Sequence, residues 1–159
     1  MIGQMTVLLR LKTMKEEKAL RDLQVKCGQV AEGERAVAHA RRVEAESLAT
    51  LSEREDAIFA GILGRAVNLG DLDDTHGAAA LLAKGHARLA DASERAAHTL
   101  HRLNGERDAA AQTHRAAGRV RDKYVALRDE LADRAEAEVS LREENEVEEL
   151  FAKRRGTPT

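Results

Sequence analysis

The chain has 159 residues, enough for one domain, yet 34% of them are charged and only 2% are aromatic. With two Phe, one Tyr and no Trp there is too little bulky side chain for a compact globular core, and the usage matches a coiled coil or long helix. A net charge of -2 excludes an overall basic field for nucleic acid; the single cysteine, Cys27, excludes an intramolecular disulfide and fits a reducing compartment.

The opening, Met1 to Lys12, holds a short apolar run. It has no basic stretch before that run and no small-residue cleavage site after it, so it does not read as a signal peptide. No segment approaches the roughly 20 apolar residues of a membrane span, and a cytoplasmic location is expected. The only proline is Pro158, so nothing between Met1 and Gly156 is barred from a helix by a missing amide. The first arm covers about residues 5–66. Leu20, Leu23, Cys27, Val30 and Val37 share one face at 3–4 spacing, which makes Cys27 a small core residue. Leu48, Leu51, Ile58 and Ile62 continue that register past Glu34, Arg41, Glu44 and Glu55, and the polar interruptions predict a drifting seam. Gly28, Gly33, Gly105 and Gly118 are expected thin points, each costing about 1 kcal/mol relative to Ala.

The stretch Ala66 to His76 is where a helix has reason to stop. Asn68 and Gly70 suit the left-handed conformation that ends one helix, and Asp71, Asp73 and Asp74 suit the amides that begin the next. The bend is placed at about 67–73. Phe59, Ile62, Leu63, Val67, Leu69 and Leu72 are expected to close the core there; the other reading is an apolar tip for a partner.

The second arm, about residues 74–153, carries a strict seven-residue series: Leu82, Leu89, Ala96, Leu103, Ala110, Ala117, Tyr124, Leu131. Its companion position is polar: His86, Ser93, Leu100, Arg107, His114, Arg121, Arg128. The fold class is therefore all-α, two long helices forming one antiparallel coiled-coil hairpin over 1–159, each arm roughly 90–120 Å long. Both termini fall at one end. There the basic start (Arg10, Lys12, Lys15, Lys18, Arg21) is expected beside the acidic finish (Glu136, Glu138, Glu143, Glu144, Glu146, Glu148, Glu149). The two either pair with each other or form a collar for a charged partner.

No catalytic constellation stands out. Gly64 to Gly70 has glycines without the Lys and Ser/Thr of a phosphate loop. Glu94, His98 and His101 have the spacing of a metal trio on one helix face, but a polar surface explains them more simply. No cofactor, no metal and no enzymatic activity are expected.

Two segments resemble the YscO/FliJ family of type III secretion proteins. Leu8-Leu-Arg-Leu-Lys-Thr-Met-Lys-Glu-Glu-Lys-Ala19 resembles that family's opening, an apolar pair before a Lys and a charged run leading to an Ala. Arg121-Asp-Lys-Tyr-Val-Ala-Leu127 through Glu143-Glu-Asn-Glu-Val-Glu-Glu-Leu-Phe151 resembles its second helix, and the closing Asn145 to Phe151 fits the virulence- or symbiosis-type YscO branch. The resemblance implies a two-helix stalk like the shaft of a rotary ATPase, its terminal end in the pore of the hexameric secretion ATPase. It also implies contact with the export gate and an escort role for export chaperones. Carried over, the ATPase-facing residues are Arg10, Lys12, Lys15, Lys123, Tyr124, Glu144 and Glu148. Those facing the gate are Ala79, Leu82 and His86 on the early second helix, with Leu69 and Leu72 at the tip. A folded monomer peripheral to the apparatus at the inner membrane is expected, with no direct insertion. The same pattern also reads as a generic coiled-coil scaffold that homodimerises.

Overall fold

The computed structural model describes residues 1–156. Two helices, α1 (Ile2–Ala60) and α2 (Leu69–Arg155), pack against each other as a helical hairpin, with no strand among the described residues. Uninterrupted helix follows from the absence of internal proline and the abundance of Ala, Leu, Glu, Arg and Lys.

The turn is built from three local devices. After Ala60 the Ile62 amide donates to the Phe59 carbonyl at 3.1 Å, tightening the last turn. Gly64 then takes φ +76°, the left-handed region open to a residue without Cβ. Asn68 caps α2: its Oδ1 accepts from the Asp71 amide at 2.7 Å, and its carbonyl accepts from the Leu72 amide at 3.2 Å. Asp71 sits in the first turn, where its charge suits the helix N-terminus. The connection therefore occupies residues 61–68, earlier than the expected 67–73. Gly64 supplies the left-handed residue in place of Asn68 or Gly70, and Asn68 supplies the cap in place of the aspartates.

The chain clusters into two compact units, Gln24–Ala109 and Met1–Leu23 with Ala110–Thr159. In the first, covered residues recur at alternating three- and four-residue steps. On α1 they are Lys26, Val30, Gly33, Val37, Ala40, Glu44, Ser47 and Leu51; on α2 they run from Thr75, Ala79 and Leu82 through Ser93 to Arg107. Val30 and Val37 are the most buried. Gly33 marks a close approach: a Cβ there would lie 3.1 Å from Leu103 Cδ1 and 3.3 Å from Leu100 Cδ1. Ser47 Oγ shares a hydrogen bond with His86 Nδ1 at 3.1 Å and accepts another from Arg54 Nη2 at 3.1 Å. A polar layer thus sits inside the seam with its donors and acceptors matched.

The seam does not drift as the sequence predicts. It keeps a strict seven-residue register by accepting polar residues, so three apolar assignments change sides. Cys27 is exposed, not a core residue, and Leu20 and Leu48 are exposed as well. In the register that the polar residues complete, all three lie outside the contact stripe.

In the other unit Met5, Leu9, Lys12, Glu16, Ala19 and Leu23 face Ala110, His114, Ala117, Arg121, Tyr124, Arg128, Leu131 and Ala135 as the covered positions. Leu9 and Ala19 are its buried apolar residues. Lys12 meets Tyr124, and Glu16 lies against Gly118, so α1 runs out opposite residues of α2 in the low 130s. Every residue from Glu136 to Gly156 is exposed. The last 20 or so residues of α2, roughly 30 Å of helix, extend beyond the start of α1. This corrects the expected side-by-side placement of basic start and acidic finish: the acidic run lies past the end of its own first helix.

Candidate partner-binding surfaces

The terminal unit is organised around one half-buried carboxylate. Glu16, whose side chain is 16% exposed, accepts a hydrogen bond from Arg121 Nη1 and lies 3.7 Å from His114 Nε2. Arg121 also donates to Asp122 at 2.8 Å. The Asp122 hydrogen bond, with the Glu16 charge behind it, raises the Arg121 pKa above its ordinary value, against a smaller opposing effect of desolvation. One turn earlier Lys12 Nζ stands 5.3 Å from the centre of the Tyr124 ring, a cation–π contact that leaves the phenol at the edge of the seam. Of the sequence-nominated ATPase-facing residues, the structure brings Lys12 and Tyr124 together. Arg10, Lys15 and Lys123 are exposed on the surface of the same unit, and Glu144 and Glu148 are exposed on the extension of α2.

Two amphipathic faces of this unit lie off the seam. On α1, Val7, Leu8, Leu11 and Met14 are 40–60% exposed, and the groove beside them is edged by Lys12, Lys15, Lys18 and Arg21 together with Glu17. On the extension, Val147, Leu150 and Phe151 are 49–65% exposed and flank a shallow cleft with Arg154. The seam register would continue through Glu138, Arg142, Asn145 and Glu149. The apolar residues of the extension therefore lie off that register, on a different side of the helix from the hairpin contact.

In the other unit, Lys26 Nζ pairs with Glu106 Oε2 at 3.2 Å, and Arg102 Nη1 donates to Glu106 Oε1 at 2.9 Å. The Lys26 hydrogen bond, more than the Lys26 or Arg102 charge, holds the Glu106 pKa below its ordinary value. A carboxylate depressed in the folded state stabilises above its unfolded pKa, ~4.3. That stabilisation is lost as pH falls through the lower folded value. The melting midpoint is therefore expected to fall between about pH 5 and pH 3, and the Glu106→Gln variant is expected to show a shallower fall; thermal melts across that range check it.

At the turn, Leu63 and Leu69 are each 74% exposed, and Val67 and Leu72 are 39% and 37% exposed. Only Phe59 and Ile62 of the six apolar residues are partly covered, with Phe59 edge-on to His76 at 6.1 Å. The expectation that all six close the hairpin core is corrected: eight residues of loop are too few to fold back over their own tip, and four of them remain on the surface. Ala79, Leu82 and His86 are half-buried in the seam, His86 through its bond to Ser47. His98 pairs with Glu94 at 3.8 Å on the exposed side of α2. Among the described residues, no group of three or more His, Cys, Asp and Glu is placed to hold a metal ion, and no helix is long and apolar enough to cross a membrane.

Sequence reasoning passed over Glu16, Lys26 and Glu106. Their signal was present: Glu16 and Lys26 stand at seven-residue intervals from Leu9 and Ala19. Charge at those positions reads as interruption until the partner helix is known to carry the opposite charge.

Comparison with known proteins agrees with this architecture. The family model described as type III secretion protein YscO matches residues 5–153. The crystal structure of the type III secretion protein YscO from Vibrio parahaemolyticus superimposes with a TM-score of 0.87 at 23% identity, covering 93% of each chain. No curated protein matches the sequence. A family match over nearly all of a two-helix hairpin, with its single break between the two arms, leads to one conclusion: the chain belongs to the YscO family of type III secretion proteins.

Proposed function

We propose that this protein is a non-enzymatic central-stalk and chaperone-escort component of a type III secretion export apparatus. It works in the cytoplasm beside the inner membrane, engaging the hexameric secretion ATPase through its terminal end and the export gate through its turn. The observation that carries this reading is the composition of the terminal unit. Arg10, Lys15, Lys18 and Arg21 on α1 and the glutamates of the α2 extension present both signs of charge around exposed apolar residues. Such a collar suits insertion into a ring of charged subunits, where contacts that differ between ring states bias those states. At the other contact, the exposed Leu69 and Leu72 are the side chains available to the gate. Ala79, Leu82 and His86 act there only by holding the turn, because they face the seam.

The test is charge reversal on α1. The Arg10→Glu, Lys15→Glu double variant is expected to lower stimulation of the cognate secretion ATPase about tenfold while leaving the melting curve unchanged. Both side chains are exposed and outside the seam. Undiminished stimulation would remove the ring contact from this face. Lys12 is left intact because it packs on Tyr124.

A further inference from the structure

Within Gln24–Ala109, one level of the hairpin differs in make-up from the layers beside it. Lys26 meets Glu106 at 3.2 Å, and Gly33 lies against Leu100 and Leu103. Antiparallel pairing between those two contacts sets Gly28 level with Gly105. Both glycines are exposed, and a first side-chain carbon added at either would meet nothing within 4 Å. Gly33 admits its neighbours; these two admit nothing. The seam at the same level is charged. The Lys26 and Glu106 side chains are 34% and 35% exposed, and that of Arg107 is 36% exposed. Along α1, no residue between Ala19 and Val30 is buried. We propose that this level is a soft joint, at which both helices open locally while the layer around Val30 and Val37 stays packed.

Backbone and packing act together there. A glycine inside a helix favours local opening about fivefold relative to alanine, and it leaves the surrounding backbone hydrogen bonds bare to water. At different heights, each weak point would be splinted by sound helix opposite. At one height, both helices are weak together. Opening at Val30 or Val37 uncovers buried apolar surface. Opening at Lys26 and Glu106 uncovers a pair that water already reaches, and such half-exposed pairs hold weakly. Few buried apolar contacts and solvent-exposed backbone bonds mark the segments that open first. A stalk held by a partner at each end is served by such a place to yield, but the joint follows from the hairpin alone.

Amide hydrogen exchange on the full-length chain, read as protection factors by mass spectrometry, tests this. In the native chain, amides in 25–32 and 102–109 are expected to be protected about tenfold less than those in 33–40 and 93–100. The double variant Gly28→Ala, Gly105→Ala is expected to raise protection at the joint roughly twenty-fivefold and to abolish the difference. Gly85→Ala is the control. Gly85 is also exposed with open space around it, so the substitution stabilises the helix away from the joint. It is expected to leave protection at 25–32 and 102–109 unchanged, because the joint opens without the rest of the hairpin. Equal protection along the native hairpin would overturn the proposal. So would a double variant with unaltered exchange at the joint. A Gly85→Ala chain that slows the joint as much as the double variant would do the same, since exchange there would then require global unfolding. None of these readouts involves the ATPase, so they are independent of the stalk assignment.

Discussion

Replacing Gly33 with leucine is expected to lower the unfolding free energy by about 1–3 kcal/mol, while replacing Gly28 or Gly105 with alanine is expected to raise it by about 1 kcal/mol each. All three glycines lie in helix interiors, and propensity alone would predict a gain from any substitution. The difference is what stands opposite. At Gly33 a first side-chain carbon would already approach Leu103 and Leu100 more closely than an ordinary contact, and the glycine lets the two helices pack at that layer. A leucine there must push α2 away, loosening the neighbouring Val30 and Val37 contacts, which hold the two most buried apolar residues of the chain. At Gly28 and Gly105 an added carbon meets nothing within 4 Å. Chemical unfolding of the three variants separates packing from propensity.

Glu16→Lys is expected to give the largest loss among single charge changes, several degrees in melting temperature, and the loss should shrink as salt rises. The native carboxylate neutralises Arg121 and lies within reach of His114 in a site where its own side chain is mostly covered. Reversal puts a cation beside both of them, and beside Lys12 one turn away. Adding Arg121→Glu should restore part of the loss by re-forming the pair in the opposite sense. Thermal melts of the single and double variants, read as a mutant cycle, check this. An additive double variant would mean that the pair does not set the alignment of this end.

The hairpin was legible in the sequence because one seven-residue series, Leu82 to Leu131, survives intact on α2 and because Ala66 to His76 concentrates turn chemistry. The register of α1 was less so. Glu16, Lys26, Glu44 and Ser47 stand at contact positions where a single-chain reading looks for apolar residues, and following the hydrophobic residues instead led to Leu20, Cys27 and Leu48, all exposed. Charge in a seam is intelligible only as a pair, and pairing such as Glu16 with Arg121 is a property of alignment between distant segments. The same holds for the extension. Its length is the difference between two helices, fixed by where Gly64 turns the chain and by the register of the seam, and neither is visible from the composition of Glu136 to Arg155. What composition did show was an acidic segment and a basic one; placing them apart and not together changed what they can bind.

The most direct measurement of the central claim, that the terminal end and in particular the extension of α2 carries the partner contact while the hairpin stands without it, is ATPase stimulation by a chain ending at Ala135. Because every residue from Glu136 to Gly156 is exposed, this truncation is expected to melt like the full chain. It is also expected to lose most of its stimulation of the secretion ATPase, reducing it about tenfold or more. Full stimulation by a truncated chain of unchanged stability would contradict the claim and move the partner contact to the remainder of the hairpin.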